Sequence, residues 1–172
     1  TTTAPTTLQV TNGICFNLSG DMHRSILKQH LWLDTHYTNK LDKEQFPTNE
    51  LQKTRLTPFD FTQPREIGER IKATINGYYH AFQLRHPDNM QKPAAILFDA
   101  QSGRAMTIYS SEPTLLINTH GAQSSGITLQ PLHAGYNSGM EKVDNSLQPG
   151  QVFHGATVFL FTTDPPLIMK TK

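Results

Sequence analysis

Ser102-Gly103-Arg104-Ala105-Met106-Thr107-Ile108-Tyr109-Ser110-Ser111-Glu112-Pro113-Thr114-Leu115-Leu116-Ile117-Asn118 is the stretch whose reading decides the fold. Two runs rich in β-branched, aromatic and aliphatic residues, Ala105 to Tyr109 and Leu115 to Asn118, stand between turn residues, and each is too short for a stable helix. Gln101-Ser102-Gly103 supplies the reversal before the first run. The unit is a pair of strands.

Working outward, the same texture recurs. Candidate strands are Thr7 to Asn17, His30 to His36, Ala81 to Arg85, Ala94 to Phe98, Ile127 to Leu129 and Val152 to Thr162. Pro87-Asp88-Asn89 and Gln148-Pro149-Gly150 are further reversal sites. Apolar residues rarely recur at three- and four-residue steps for a dozen positions, and eleven prolines with eleven glycines interrupt the chain; that pattern predicts an all-β protein. One short helical turn is expected at Arg65 to Ile71, opened by Pro64. The polar stretch Asp34 to Thr57 reads as connecting structure with at most a short strand inside. No internal repeat or linker divides the chain, so residues 1–164 are expected to form one unit, with residues 165–172 as a frayed tail after Asp164.

Composition removes several function classes. Fifteen Lys plus Arg against fourteen Asp plus Glu give a formal charge of +1, too weak a field to gather nucleic acid or anionic lipid. No apolar run approaches the roughly 18 residues that span a bilayer, so a soluble protein with neither nucleic acid nor membrane as partner is expected. The single cysteine, Cys15, excludes an intrachain disulfide and reads as a small buried apolar side chain. Eight histidines without paired spacing or cysteine partners give no metal motif, and no cofactor is expected. The acceptor tripeptide Asn17-Leu18-Ser19 lies in an apolar run, where a buried strand competes with glycosylation. The chain opens on Thr1 and runs straight into a strand-like pattern, as processing of a longer, secreted precursor or trimming would leave it.

Three stretches resemble the aldose 1-epimerase (galactose mutarotase) family. Thr11-Asn12-Gly13-Ile14-Cys15-Phe16-Asn17-Leu18-Ser19-Gly20 is similar to that family's Thr-Asn-His strand and is followed by Thr57-Pro58-Phe59-Asp60-Phe61. Asn76-Gly77-Tyr78-Tyr79-His80-Ala81-Phe82 is similar to its Gly-Tyr-Asp-His motif. Ser102-Gly103-Arg104, Ser111-Glu112-Pro113, Gly126-Ile127-Thr128-Leu129-Gln130 and Leu147-Gln148-Pro149-Gly150 follow its later motifs in order. The resemblance implies a large antiparallel β-sandwich of the galactose mutarotase-like (supersandwich) type. It also implies that the chain corresponds to the C-terminal half and is incomplete without an N-terminal half, which a second polypeptide is expected to supply.

The resemblance places the chemistry and also the departures from it. Mutarotation needs a base to take the anomeric proton and an acid to protonate the ring oxygen. The family's base is matched by Gln130, whose carboxamide cannot carry a proton away at neutral pH, and its acid is matched by Gly13, which has no side chain. Its substrate-binding aspartate is matched by Tyr79. Loss of two acid–base groups, each worth about 10²- to 10⁴-fold, leaves no intact catalytic residue. Asn12, Tyr79, His80, Gln130 and His133 remain as candidate ligand-binding residues.

The leading expectation is therefore a non-catalytic relative that keeps a site for a sugar or another small ligand, with Gly13 widening the pocket by an imidazole. Two alternatives stand beside it. One is an active epimerase, or new chemistry on the scaffold, using a replacement histidine among His23, His30, His120 and His133. For each of these a solvated or hydrogen-bonded loop histidine is the plainer reading. The other is a structural or interaction protein whose pocket Tyr79 closes. His80 reads equally as pocket or structural, Glu112 as a turn anchor and Arg104 as a surface pairing residue.

Overall fold

The computed structural model describes residues 2–8, 10–45, 47–119, 125–133 and 146–169. Among them are thirteen strands: β1 (Thr6–Thr7), β2 (Cys15–Phe16), β3 (His30–Leu33), β4 (Thr35–Leu41), β5 (Pro47–Lys53), β6 (Arg65–Glu66), β7 (Tyr79–Leu84), β8 (Ala95–Phe98), β9 (Ala105–Ser110), β10 (Thr114–Asn118), β11 (Ile127–Leu132), β12 (Ser146–Leu147) and β13 (Thr157–Thr162). Three single 3₁₀ turns, Ile26–Lys28, Ile71–Ala73 and Leu167–Met169, are the helical elements among the described residues. Among the described residues no helix is long and apolar enough to cross a membrane.

Two antiparallel sheets face each other. The six-stranded sheet runs β2-β11-β10-β7-β4-β5 and the five-stranded sheet β13-β9-β8-β3-β6, with β1 and β12 forming a separate two-stranded ribbon. Successive strand residues point to opposite faces, and the inward set makes the core. Leu31, Leu33, Leu97, Met106 and Ile108 from the five-stranded sheet meet Phe82, Leu115, Ile117, Ile127 and Leu129 from the six-stranded one. All are within 1% of full burial. Tyr78, packed edge-on to Phe61 at 5.3 Å between ring centres, closes one end of that core; burial pushes its hydroxyl up to about 12.

The expected strands from Ala81 onward occur as β7 to β11, each with boundaries moved by a few residues. The departures are informative. Asp34 to Thr57 is not connecting structure: β4 and β5 pair through Tyr37↔Lys53, Thr38↔Gln52 and Asn39↔Leu51. Its first strand, β4, is tied to β7 by polar side chains. Thr35 Oγ1 donates to the Gln83 carbonyl at 2.6 Å, Thr38 Oγ1 to the Ala81 carbonyl at 2.9 Å, and Asn39 Oδ1 accepts from Ala81 N at 2.7 Å. Buried polar groups satisfied in this way leave no apolar alternation for a sequence reading to find.

The helical turn expected at Arg65 to Ile71 is instead the short strand β6, pairing Glu66 with His30 and Arg65 with Leu31. Backbone bonds from Ile67 N to the Gln29 carbonyl and from Gly68 N to the Leu27 carbonyl continue the edge, and the helical turn begins only at Ile71. Tertiary pairing overrides the local signal. The run Thr7 to Asn17 is broken into β1, which leaves to pair with β12, and β2, which joins the six-stranded sheet. Val152 to Thr162 likewise keeps only its second half as β13. Cys15 is exposed rather than buried, because β2 is a sheet edge. Its Sγ lies where a Cβ on Gly126 would come within 2.3 Å, so glycine is what lets β2 approach β11. In the tail after Asp164, Leu167–Met169 coils once and Met169 is 6% exposed.

The Ser102-Gly103-Arg104 turn ties the two sheets together. Ser102 Oγ and Arg104 Nη1 both donate to the Leu18 carbonyl, at 2.8 and 3.1 Å, and Gly20, at φ +81°, leaves the space that the guanidinium occupies. Arg104 thus anchors a turn instead of pairing on the surface.

Candidate functional site

Register fixes what the six-stranded sheet shows on its outward face. Leu129 pairs with Ile117 and Ile117 with His80, and the core faces this row. The next row, Gln130 to Leu116 to Ala81, therefore faces outward, as does the row Cys15 to Thr128 to Asn118 to Tyr79 on its other side. Gln130 and Tyr79 share this face, two strands apart, which is about 10 Å across the sheet. Tyr79 is 40% exposed. The pairing of β2 with β11 ends at Thr128↔Cys15, two residues short of Gly13 and Gln130. A Cβ on Gly13 would meet nothing within 4 Å.

His80 belongs to the other face. It is 6% exposed, its ring lies 4.3 Å from that of Phe59, and its Nδ1 accepts from Tyr79 N at 3.2 Å. Burial pushes its imidazole down to about 4, so it is neutral at neutral pH and acts as a packing group and backbone acceptor. Asn12 stands at the rim: its Oδ1 is buried without a partner, in a groove of about 240 Å³ that Val10, Glu112, Pro131, Phe153 and Thr157 also line.

His133, one residue past the end of β11, stands in an acid–base arrangement. Its Nδ1 lies 3.0 Å from Glu112 Oε2. Glu112 is 7% exposed and its backbone N–H is held by Ser110 Oγ at 3.0 Å. Phe153 meets the imidazole edge-on at 5.2 Å. The ring borders a cavity of about 630 Å³ that also contains Ser146, Gln148, Gln151 and His154. His86 Nδ1 makes a like contact with the buried Asp34 Oδ2, outside this cavity. His23 is exposed in a turn, His30 stacks on Phe98 in the five-stranded sheet, and His120 lies outside the described residues. Among the described residues no group of three His, Cys, Asp or Glu could hold a metal ion.

The sequence reading missed the Glu112 to His133 contact, because 21 residues separate the two and only the β10 to β11 pairing joins them. The tripeptide at Asn17 is also resolved by geometry. Its Nδ2 is aimed at the carbonyls of Asp21, Arg24 and Ser125, at 3.2, 2.7 and 2.7 Å, so the amide is a structural clamp.

Comparison with known proteins identifies the architecture. The family model described as aldose 1-epimerase matches residues 1–159. The chain belongs to the aldose 1-epimerase family. Its relatives include galactose mutarotase of Rattus norvegicus, 23% identical over 91% of this chain and 50% of that protein. Aldose 1-epimerase of Streptococcus thermophilus is 32% identical over 68% of this chain and 33% of that protein. Among solved structures, an aldose epimerase homologue from C. elegans superimposes with a TM-score of 0.79 at 18% identity, over 92% of this chain and 52% of that one. Galactose 1-epimerase from Lactobacillus acidophilus gives 0.76 at 19% identity, over 92% and 50%. The chain spans about half the length of the galactose mutarotase it matches.

Proposed function

We propose that this aldose 1-epimerase family member binds a sugar or another small polar ligand on the outward face around Gln130 and Tyr79, and that it does not carry out the family's mutarotation. The observation that carries the reading is the composition of that face from β2 to β7. Among the described residues the rows through Thr128 and Gln130 offer a thiol, hydroxyls, amides and an aromatic ring, with no carboxylate and no imidazole. An amide and an aliphatic hydroxyl can orient a polyol without relaying a proton at neutral pH. The exposed ring of Tyr79 suits the apolar face of a pyranose.

Calorimetric titration of the purified protein with D-galactose, D-glucose and larger glycosides tests this. The expected result is saturable binding that Tyr79→Ala weakens about tenfold, equivalent to about 1.4 kcal/mol. Absence of saturable binding across the panel, or binding indifferent to Tyr79, contradicts the proposal.

A second reading has one observation in its favour. The buried Glu112 orients His133 as a carboxylate orients a general base, so an active epimerase would work from this pair rather than from Gln130. Its signature is mutarotase activity abolished by His133→Ala and unaffected by Gln130→Ala.

A further inference from the structure

Along β7 the outward positions Tyr79, Ala81 and Gln83 alternate with His80, Phe82 and Leu84, which point to the core. On the neighbouring strand β4, Thr38 pairs with Phe82 and is fully buried, so Tyr37, paired with Gln83, lies on the outward face. Tyr37 and Tyr79 are 38% and 40% exposed. Among the described residues they are the exposed tyrosines of the six-stranded sheet. Four residues of β7 and the spacing of one strand separate them, about 14 Å.

The surface between the two rings is low and uncharged. Ala81, a single methyl group, lies midway along β7, and the half-buried Leu116 stands beside it on β10. Gln83 at one end and Gln130 to the side present carboxamides, which both donate and accept hydrogen bonds. Among the described residues the outward positions from Gln130 across to Tyr37 hold no ionised side chain, and Lys53, paired with Tyr37, is the first charge in its row. An occupant must therefore be uncharged, carry donors and acceptors along its length and offer an apolar face at each end. A peptide strand is the poorer fit, because it gains its affinity at a sheet edge, where backbone groups are open, and this is a face. Linked pyranoses meet all three conditions, since the ring of a sugar stacks on a tyrosine while its hydroxyls reach the amides. One pyranose covers one tyrosine and falls short of the other.

We infer that Tyr37 and Tyr79 mark the two ends of a glycan platform along β7, so that the ligand of the outward face is a linear, neutral oligosaccharide rather than a single sugar. This rests on the reading of that face as a sugar site and adds to it an extent and a second contact residue, Tyr37. The chemistry of the face agrees with such a ligand. Interior units of a glycan chain have no free anomeric hydroxyl, so nothing in their recognition calls for the carboxylate or imidazole that the rows through Thr128 and Gln130 lack.

Calorimetric titration with linear oligosaccharides of glucose and of galactose, from the single sugar to the pentasaccharide, tests the inference. In at least one series the affinity is expected to rise about tenfold with chain length, the worth of one further aromatic contact. Tyr37→Ala, at an exposed site, should abolish that rise while leaving the affinity for the single sugar and the circular dichroism unchanged, whereas Tyr79→Ala weakens binding of every member. Carbon-13 NMR of the tyrosine rings gives the position directly: the pentasaccharide should shift the signals of both Tyr37 and Tyr79, and the single sugar those of Tyr79 alone. Equal affinity along every series, or a rise that Tyr37→Ala leaves intact, overturns the inference and leaves the sugar-site reading standing. Absence of saturable binding by every member overturns both.

Discussion

Oε2 of Glu112 lies 3.0 Å from Nδ1 of His133 across the β9–β10 turn and the end of β11. An ionised carboxylate only accepts hydrogen bonds, so the contact fixes the tautomer with hydrogen on Nδ1 and leaves Nε2 as an acceptor. Ring ¹⁵N shifts at alkaline pH are expected to report that tautomer for His133, and Glu112→Ala should convert it to a mixture. Unchanged shifts in the variant would show that the pair is incidental.

The same carboxylate constrains Gly155. A Cβ there would come within 2.4 Å of Glu112 Oε1 and 3.0 Å of the Phe153 ring, whereas a Cβ on Gly13 meets nothing. Gly155→Ala is expected to lower stability by about 1–3 kcal/mol through overpacking, and Gly13→Ala to be neutral or slightly stabilising. Thermal denaturation of the two variants side by side checks the contrast.

His80 makes stability depend on pH. Its imidazole titrates near 4 in the folded protein because burial disfavours the charged form, against about 6.5 in an unfolded chain. The unfolded state therefore binds more protons between these values. Stability contributed by the neutral ring is complete above about pH 6.5 and is lost as pH falls toward 4, by at most about 3 kcal/mol. Urea unfolding across this range should show the loss in the parent protein and a shallower slope in His80→Gln.

Asn17 carries a prediction about modification. A glycan on Nδ2 would replace a hydrogen now directed at the carbonyls of Asp21, Arg24 and Ser125. Intact mass of protein secreted from a glycosylating host is expected to show Asn17 unmodified, and Asn17→Ala to cost about 1 kcal/mol by removing these hydrogen bonds.

How much was legible follows from which residues carry the signal. The strands from Ala81 to Leu129 announce themselves because the core is built from their β-branched and aromatic side chains. The β4/β5 hairpin stayed hidden because Thr35, Thr38 and Asn39 hold β4 to β7 by hydrogen bonds rather than by apolar alternation. Motif order singled out Gln130, Gly13 and Tyr79 as candidates, and strand parity puts Gln130 and Tyr79 on one face of the sheet. The adjacent Tyr79 and His80 face opposite ways, one to solvent and one to the core, a distinction that requires knowing which face of β7 is buried. Glu112 and His133 meet only through strand pairing, which no local pattern encodes.

Polarimetry on freshly dissolved α-D-galactose and α-D-glucose is the most direct test of the central claim, that the outward face around Gln130 offers, among the described residues, neither a carboxylate nor an imidazole to run mutarotation. The account predicts that the protein, isolated with any companion it carries, leaves the rate of optical rotation change at the buffer value. Acceleration well above buffer that Gln130→Ala abolishes would contradict it.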